Sequence, residues 1–256
     1  MTAQEFAARV RSRERIIGYW VVTDSPISTE RVSRTGYDYV ALDAQHGLIG
    51  YAGLVNGLMA IDAGGMAAGI VRVEANSATP IGRALDAGAA GVIVPLVNTP
   101  QDAAAAVAAT RYPPLGVRSY GPMRSGLRIG PNPAVANAST LVFAMIETPD
   151  GLANVEAIAA TPGLDGLYIG PSDLALAIGA QFPGDPAVAD AFDAALARVL
   201  KAAQAAGIVA GIHTANGEIT AQRIAQGFTF VSVASDLTHL EQVAAAHLKT
   251  ALGGNA

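Results

Sequence analysis

The stretch Leu141–Asp173, LVFAMIETPDGLANVEAIAATPGLDGLYIGPSD, decides how the chain reads. It holds two short apolar runs, and each leads to an acid. Leu141–Ile146 ends at Glu147, and Gly166–Ile169 continues through Gly170, Pro171 and Ser172 to Asp173. Such runs mark strands buried on both faces of a parallel sheet. Between them Leu152, Val155, Ile158 and Ala159 recur at helical spacing, with Asp150 as a candidate N-cap. The unit is strand–helix–strand. Parallel strands of one sheet end on the same rim, so both carboxylates are expected there. Two hard oxygen donors with no cysteine near them suit Mg²⁺, Mn²⁺ or a similar divalent ion. Capping a helix start is the other use for such acids, and it accounts for one of them more easily than for both.

Working outward, further strand-like runs fall at Ile16–Val22, Tyr37–Leu42, Ala68–Val73, Gly91–Val97, Ile208–Ile212 and Phe228–Val233, which makes eight in all. Helical patterns separate them at Tyr51–Ala63, Pro80–Gly88, Thr99–Ala109, Asp185–Gly207, Asn216–Gln226 and Asp236–Leu252. Eight strands alternating with helices over 256 residues predict a single (β/α)₈ TIM barrel spanning 1–256. A doubly wound open sheet would show a glycine-rich phosphate loop after its first strand, and the chain has neither common form of it. One interval is long. Tyr112–Thr140 is rich in Pro, Gly, Arg and Ser, and RYPPLGVRSYGPMRSGLRIGPNP carries Arg111, Arg118, Arg124 and Arg128 without one acid. That composition suits an anionic ligand or an acidic partner subunit, or else a solvated excursion.

Composition narrows the function. The chain is 51% hydrophobic with net charge −5, and no basic block points to nucleic acid. No apolar run approaches the roughly 20 residues of a membrane span. The N-terminus lacks a signal pattern; Arg9, Arg11, Arg13 and Arg15, interleaved with Glu5 and Glu14, read as a solvated helix face. There are no cysteines, which excludes thiolate catalysis, disulfides and thiolate metal sites and fits a cytoplasmic protein.

In barrels the chemistry sits where strands end. The second strand ends at LDAQHG, with Asp43 and His46, and the third ends at Arg72. Glu147, Asp173 and His213 follow the fifth, sixth and seventh, and Ser235 and Asp236 the eighth. Arg72 lies among Ile70, Val71 and Val73, where an unpaired guanidinium is costly. It suits a carboxylate or 2-oxo acid, or a structural ion pair. His46, beside two acids and an arginine, is favoured as a general base, whereas His213 reads as structural. The helix starting near Ser172 offers backbone N–H groups to a substrate carboxylate. Only Lys201 and Lys249 are present, both within helices, so a Schiff-base lysine inside the barrel is excluded. A carbanion made here would need a metal ion to stabilise it.

These residues resemble the metal-dependent class II pyruvate aldolases, the HpcH/HpaI or 4-hydroxy-2-oxoheptanedioate aldolase family. The matching pieces are SPISTERVSRTGYDYVALDAQHG, the VRV around Arg72, ALDAGAAGVIVPLV, RYPPLGVRSYG, IETPDGLANVEAIAATPGLDGLYIGPSDLA and GFTFVSVASD, which cover most of the chain in order. The resemblance implies a barrel whose last helix swaps between subunits of a homo-oligomer, a hexamer of paired protomers. It implies a divalent metal (Mg²⁺, Mn²⁺ or Co²⁺) on Glu147 and Asp173. Arg72 would stabilise an enolate, and His46 would be the base, tuned by Asp86 with Asp43 close by. Ser172 would contact pyruvate through its backbone, in the loop formed with Gly170 and Pro171. The implied activity is reversible cleavage of 4-hydroxy-2-oxo acids to pyruvate and an aldehyde. Gln45, Met145 and Ser119 depart from the family pattern and bear on the aldehyde. A citrate-lyase-like acyl-CoA lyase and a non-catalytic 2-oxo-acid-binding barrel are the alternatives.

Overall fold

The alternation closes into a cylinder. The computed structural model describes residues 1–253, so the last three positions of the expected 1–256 domain lie outside the described residues. The strands are β1 (Ile16–Val21), β2 (Tyr39–Asp43), β3 (Ala68–Arg72), β4 (Gly91–Val94), β5 (Leu141–Ile146), β6 (Gly166–Ile169), β7 (Val209–Thr214) and β8 (Phe230–Ser235). They pair in parallel in chain order, and β8 closes on β1. The helices are α1 (Ala3–Arg11), α2 (Pro26–Ser33), α3 (Tyr51–Gly64), α4 (Ala78–Asp86), α5 (Pro100–Thr110), α6 (Ser125–Arg128), α7 (Pro133–Ser139), α8 (Pro149–Ala153), α9 (Val155–Ala159), α10 (Pro171–Ala177), α11 (Ala189–Ala206), α12 (Gly217–Gln226) and α13 (Asp236–Ala251). The TIM-barrel expectation is borne out.

Local chemistry explains where elements start. The helix after β5 is capped by Thr148, not by Asp150: its hydroxyl accepts from the Gly151 N–H at 3.0 Å, and Pro149 occupies the first turn. The expected single helix is two short ones, broken at Asn154, whose side-chain amide donates to the Asn98 carbonyl at 2.8 Å.

The pleat sorts the strand residues into two sets. Val40, Leu42, Val71, Val92, Val142, Ala144, Leu167 and Val231 face out and pack against the helices. Ile16, Trp20, Tyr39, Ile70, Ile93, Leu141, Phe143, Met145, Tyr168 and Phe230 fill the interior. Tyr39 stacks on Phe230 at 4.3 Å between ring centroids, and Phe143 stacks on Phe230 as well, at 4.4 Å. Gly18 leaves the space for this layer, because a Cβ there would lie 2.1 Å from the Tyr39 ring. Helix α1 plugs the end where the strands begin, with Phe6, Ala7 and Val10 against that interior set.

The arginines near both long segments are engaged within the chain. Arg9 pairs with Glu14 and Asp38, each at 2.9 Å, and Arg11 with Asp165 at 2.7 Å, so α1 is fastened to the barrel rather than being merely solvated. The segment after α5 folds into α6 and α7 and runs along the same end. Arg111 pairs with Asp165 at 3.6 Å, Arg118 with Asp86 at 2.7 Å, and Arg124 and Arg128 with Asp62. A segment joining a helix to the next strand must lie where strands begin, and there these four cations meet acids of this chain. Their reading as an anion site is corrected.

Candidate active site

The opposite end is built by continuing the inward pleat one step further. After Ala41 comes Asp43, after Ile70 comes Arg72, after Met145 comes Glu147, after Tyr168 comes Gly170, and after Phe230 comes Ser232. The rim residues anticipated from strand ends are therefore the top layer of the barrel interior.

Asp43 and Arg72 form its buried centre, at 1% and 8% exposure. Arg72 Nε donates to Asp43 Oδ1 at 2.8 Å, and Nη2 donates to Oδ2. Among the described residues nothing accepts from Nη1, so one edge of the fork remains for a ligand. Trp20 adds an indole N–H to Asp43 at 3.2 Å and lies 5.2 Å under the guanidinium. The backbone amides of Gln45 and His46 each donate to Asp43 at 3.1 Å. Burial opposes charge on Asp43, but the Arg72 fork and these donors outweigh it and hold its carboxyl below the usual range. Arg72 thus satisfies both readings, an ion pair and an open donor edge.

Glu147 is placed differently. It is 3% exposed. Oε1 accepts from the Leu96 N–H at 2.8 Å, and Oε2 is buried with no partner. Leu96 sits at φ 55, a left-handed conformation uncommon for leucine, and so aims that amide at the carboxylate. Burial raises the Glu147 carboxyl above its ordinary value; the Leu96 amide works against this, and the nearby Asp173 charge adds to it. Gly170 faces the orphaned atom: a Cβ there would come within 2.5 Å of Oε2. Asp173 lies in the first turn of α10, exposed toward the mouth, and Gly170 supplies no side-chain cap for that turn. Among the described residues no cluster of three or more metal-ligating side chains forms. Two carboxylates, one with a bare buried oxygen and a side-chain-free space before it, are what a Mg²⁺-type ion takes when water and substrate oxygens complete its shell.

His46 is exposed just beyond β2. Asp86 is not beside it. Asp86 ends α4, and barrel helices run back against the strands, so it sits at the α1 end and accepts from Arg118 Nη2 at 2.7 Å. Within one chain, Asp86 therefore does not reach His46. Ser172 and Pro171 border the mouth at the start of α10, and Asp236 is occupied by the Val22 and Thr23 amides at 2.9 and 3.2 Å.

Strand-end reading missed Trp20, and it took His213 as structural without seeing its partners. The His213 ring lies 5.2 Å from the Trp20 ring, and its Nδ1 is 2.8 Å from Ser232 Oγ. Ser232 in turn is 2.6 Å from the Tyr168 hydroxyl. The inward alternation of β1, β7 and β8 was the signal that marks them.

A closed (β/α)₈ cylinder with acids, an arginine and a histidine at its C-terminal mouth has the layout of a barrel enzyme, and the relatives place it in the aldolase, or lyase, class. The chain belongs to the HpcH/HpaI aldolase/citrate lyase family, whose model matches residues 16–242. It is 39% identical over 226 residues to a hydroxypyruvate/pyruvate aldolase of Rhizorhabdus wittichii, covering 88% of this chain and 89% of that protein. It is 39% identical over 238 residues to a 5-keto-4-deoxy-D-glucarate aldolase of Klebsiella pneumoniae, with 91% of each covered. A solved HpcH/HpaI aldolase/citrate lyase family protein from Burkholderia cenocepacia superposes with TM-score 0.87 at 32% identity, over 97% of this chain and 99% of that one. Among the described residues no helix is long and apolar enough to cross a membrane.

Proposed function

We propose that this chain is a divalent-metal-dependent pyruvate aldolase, reversibly splitting 4-hydroxy-2-oxo acids into pyruvate and an aldehyde. The observation that carries this reading is the orphaned, buried Oε2 of Glu147, facing Gly170 with Asp173 nearby. Glu147 and Asp173 would hold Mg²⁺, Mn²⁺ or Co²⁺. A cation there supplies Lewis-acid stabilisation of negative charge on the 2-oxo acid. The chain's own residues do the rest. Asp43 grips the Arg72 guanidinium edge-on, leaving Nη1 to oppose charge that builds on the oxo oxygen during C3–C4 cleavage. His46 takes the C4 hydroxyl proton in cleavage and a methyl proton of pyruvate in synthesis. The amides at Ser172 and Asp173, behind Gly170 and Pro171, seat the pyruvate carboxylate. The absence of a lysine at any strand end supports the metal route over a Schiff base.

The working unit in this reading is a homo-oligomer, a hexamer. Helix α13 buries none of its residues and exposes Leu240, Val243 and Leu248, a face suited to a neighbouring subunit. Asp86 then meets His46 only across a subunit boundary. The test is pyruvate release from a series of 4-hydroxy-2-oxo acids, with and without EDTA. Full activity in chelator removes the metal; no release from any substrate removes the aldolase. Mixing His46→Ala and Asp86→Ala chains restores activity if the pair forms between subunits.

A further inference from the structure

Barrel interiors are usually filled by apolar side chains, yet one wall of this one is wired with polar atoms. Tyr168 of β6, Ser232 of β8 and His213 of β7 form a chain, with contacts of 2.6 Å from Tyr168 OH to Ser232 Oγ and 2.8 Å from Ser232 Oγ to His213 Nδ1. The first two residues are fully buried, and the Tyr168 ring stacks on Trp20 at 5.9 Å. The histidine is partly exposed. Its Nδ1 is fixed from below, and among the described residues nothing bonds Nε2. The wire thus ends in Nε2 of a partly exposed ring near the end of β7, packed beside Trp20, which also lies against the Arg72 guanidinium. Glu147, Asp173 and Arg72 come from the β3–β6 side, whereas His213 and Trp20 border the β7–β1 side.

We infer that His213 is a substrate-binding residue whose Nε2 hydrogen-bonds a hydroxyl on the aldehyde partner, so that the site favours hydroxylated aldehydes over alkyl ones. This rests on the aldolase reading above. A hydroxyl both donates and accepts, so it matches Nε2 in either tautomer. A carboxylate is a poorer match. Burial, followed by the Arg72 charge, pushes the imidazole down to about 4, and a neutral ring brings no charge to pair. The wire also restricts the ring, so little freedom is lost when the contact forms.

Glycolaldehyde and propanal have the same number of heavy atoms and differ by one hydroxyl. Each is offered with pyruvate to the intact enzyme in the presence of Mg²⁺ or Mn²⁺, and kcat/KM is read for both. In His213→Leu the glycolaldehyde-to-propanal ratio falls about 10-fold, the scale of one substrate hydrogen bond. His213→Gln, which keeps a donor and an acceptor, recovers part of the ratio. Ser232→Ala, which unfastens the ring but keeps it, lowers the ratio less than His213→Leu does and serves if the leucine variant does not fold. An unchanged ratio in all three overturns the inference while wild-type turnover leaves the aldolase reading standing. No adduct from either aldehyde with wild-type enzyme overturns both.

Discussion

The two ends of the barrel are made from the same pleat and are filled on opposite principles. Where the strands begin, Arg9, Arg11, Arg111, Arg118, Arg124 and Arg128 all meet acids of this chain, and α1 drives Phe6 and Val10 into the interior. Where they end, Glu147 Oε2, Arg72 Nη1 and His213 Nε2 are left open inside or beside a buried layer. Leaving a buried polar atom unmatched costs about 1–3 kcal/mol. The closed end also holds such an atom, the buried Arg118 Nε, but only at the mouth does one belong to a carboxylate facing a side-chain-free space, with a second acid nearby, as a binding site requires. Substitutions at the two ends should therefore separate activity from stability.

The largest effect is expected at Glu147. Glu147→Gln keeps the shape and removes the charge that would hold the cation, so pyruvate release should fall about 10³-fold or more. The metal-free melting temperature should hold or rise, because a buried carboxylate with a raised pKa is lost. Wild-type turnover would remove Glu147 from the mechanism. Phe6→Ala is the counterpart at the closed end. It empties a fully buried site and should cost about 3–5 kcal/mol. For a chain of this size that lowers the melting temperature by about 10 °C, while turnover per folded molecule stays near wild type. A loss of turnover without loss of stability would break the division between the ends.

Asp43→Asn tests a residue that belongs to both sides of the comparison. It leaves the Arg72 guanidinium buried against a neutral amide, where breaking such a pair costs about 3–5 kcal/mol at most. The fork also loses its anchor, so turnover should drop about 10²-fold. Stability lost with turnover intact would make the pair structural only.

Acid sharpens the contrast in metal-free protein. Asp43 is depressed in the folded state, so the stability it contributes is present above its unfolded value and lost as pH falls through the folded one. Glu147 is raised, so its contribution is fullest below its unfolded value and fades as pH rises through the folded one. The melting-temperature advantage of Glu147→Gln over wild type, measured with chelator present, should therefore grow from pH 4 to pH 7. An advantage independent of pH would mean the carboxyl is not strained by burial.

Much of this was legible in the sequence, and the gaps have causes. Alternation of apolar runs and helical spacing placed the eight strands, because each strand is buried on both faces and reads as a continuous run. Glu147, Asp173, Arg72 and Asp43 were legible as strand ends. The resemblance gives Asp86 a role without saying which end of the barrel, or which subunit, carries it, and within one chain it lies at the end away from His46. The arginine-rich segment was misread because composition hides partners distant in sequence; Asp62, Asp86 and Asp165 come from three other connections. Topology alone would have put that segment at the closed end. The hydrogen-bonded run from His213 through Ser232 to Tyr168 is not legible in the sequence, because these residues become neighbours only when β6, β7 and β8 align in register.

The smallest effect belongs to neither end. Arg198 on α11 meets Glu156 on α9 through two hydrogen bonds of 2.8 Å, a geometry as good as many buried pairs. Both side chains are well exposed, at 43% and 59%, so water and salt already screen the charges. Arg198→Ala should shift stability by no more than about 0.5 kcal/mol and leave turnover alone. Its measurement by denaturant titration calibrates the larger effects. A cost there equal to that of Asp43→Asn would mean that burial, on which the contrast between the two ends depends, does not set the strength of ion pairs in this barrel.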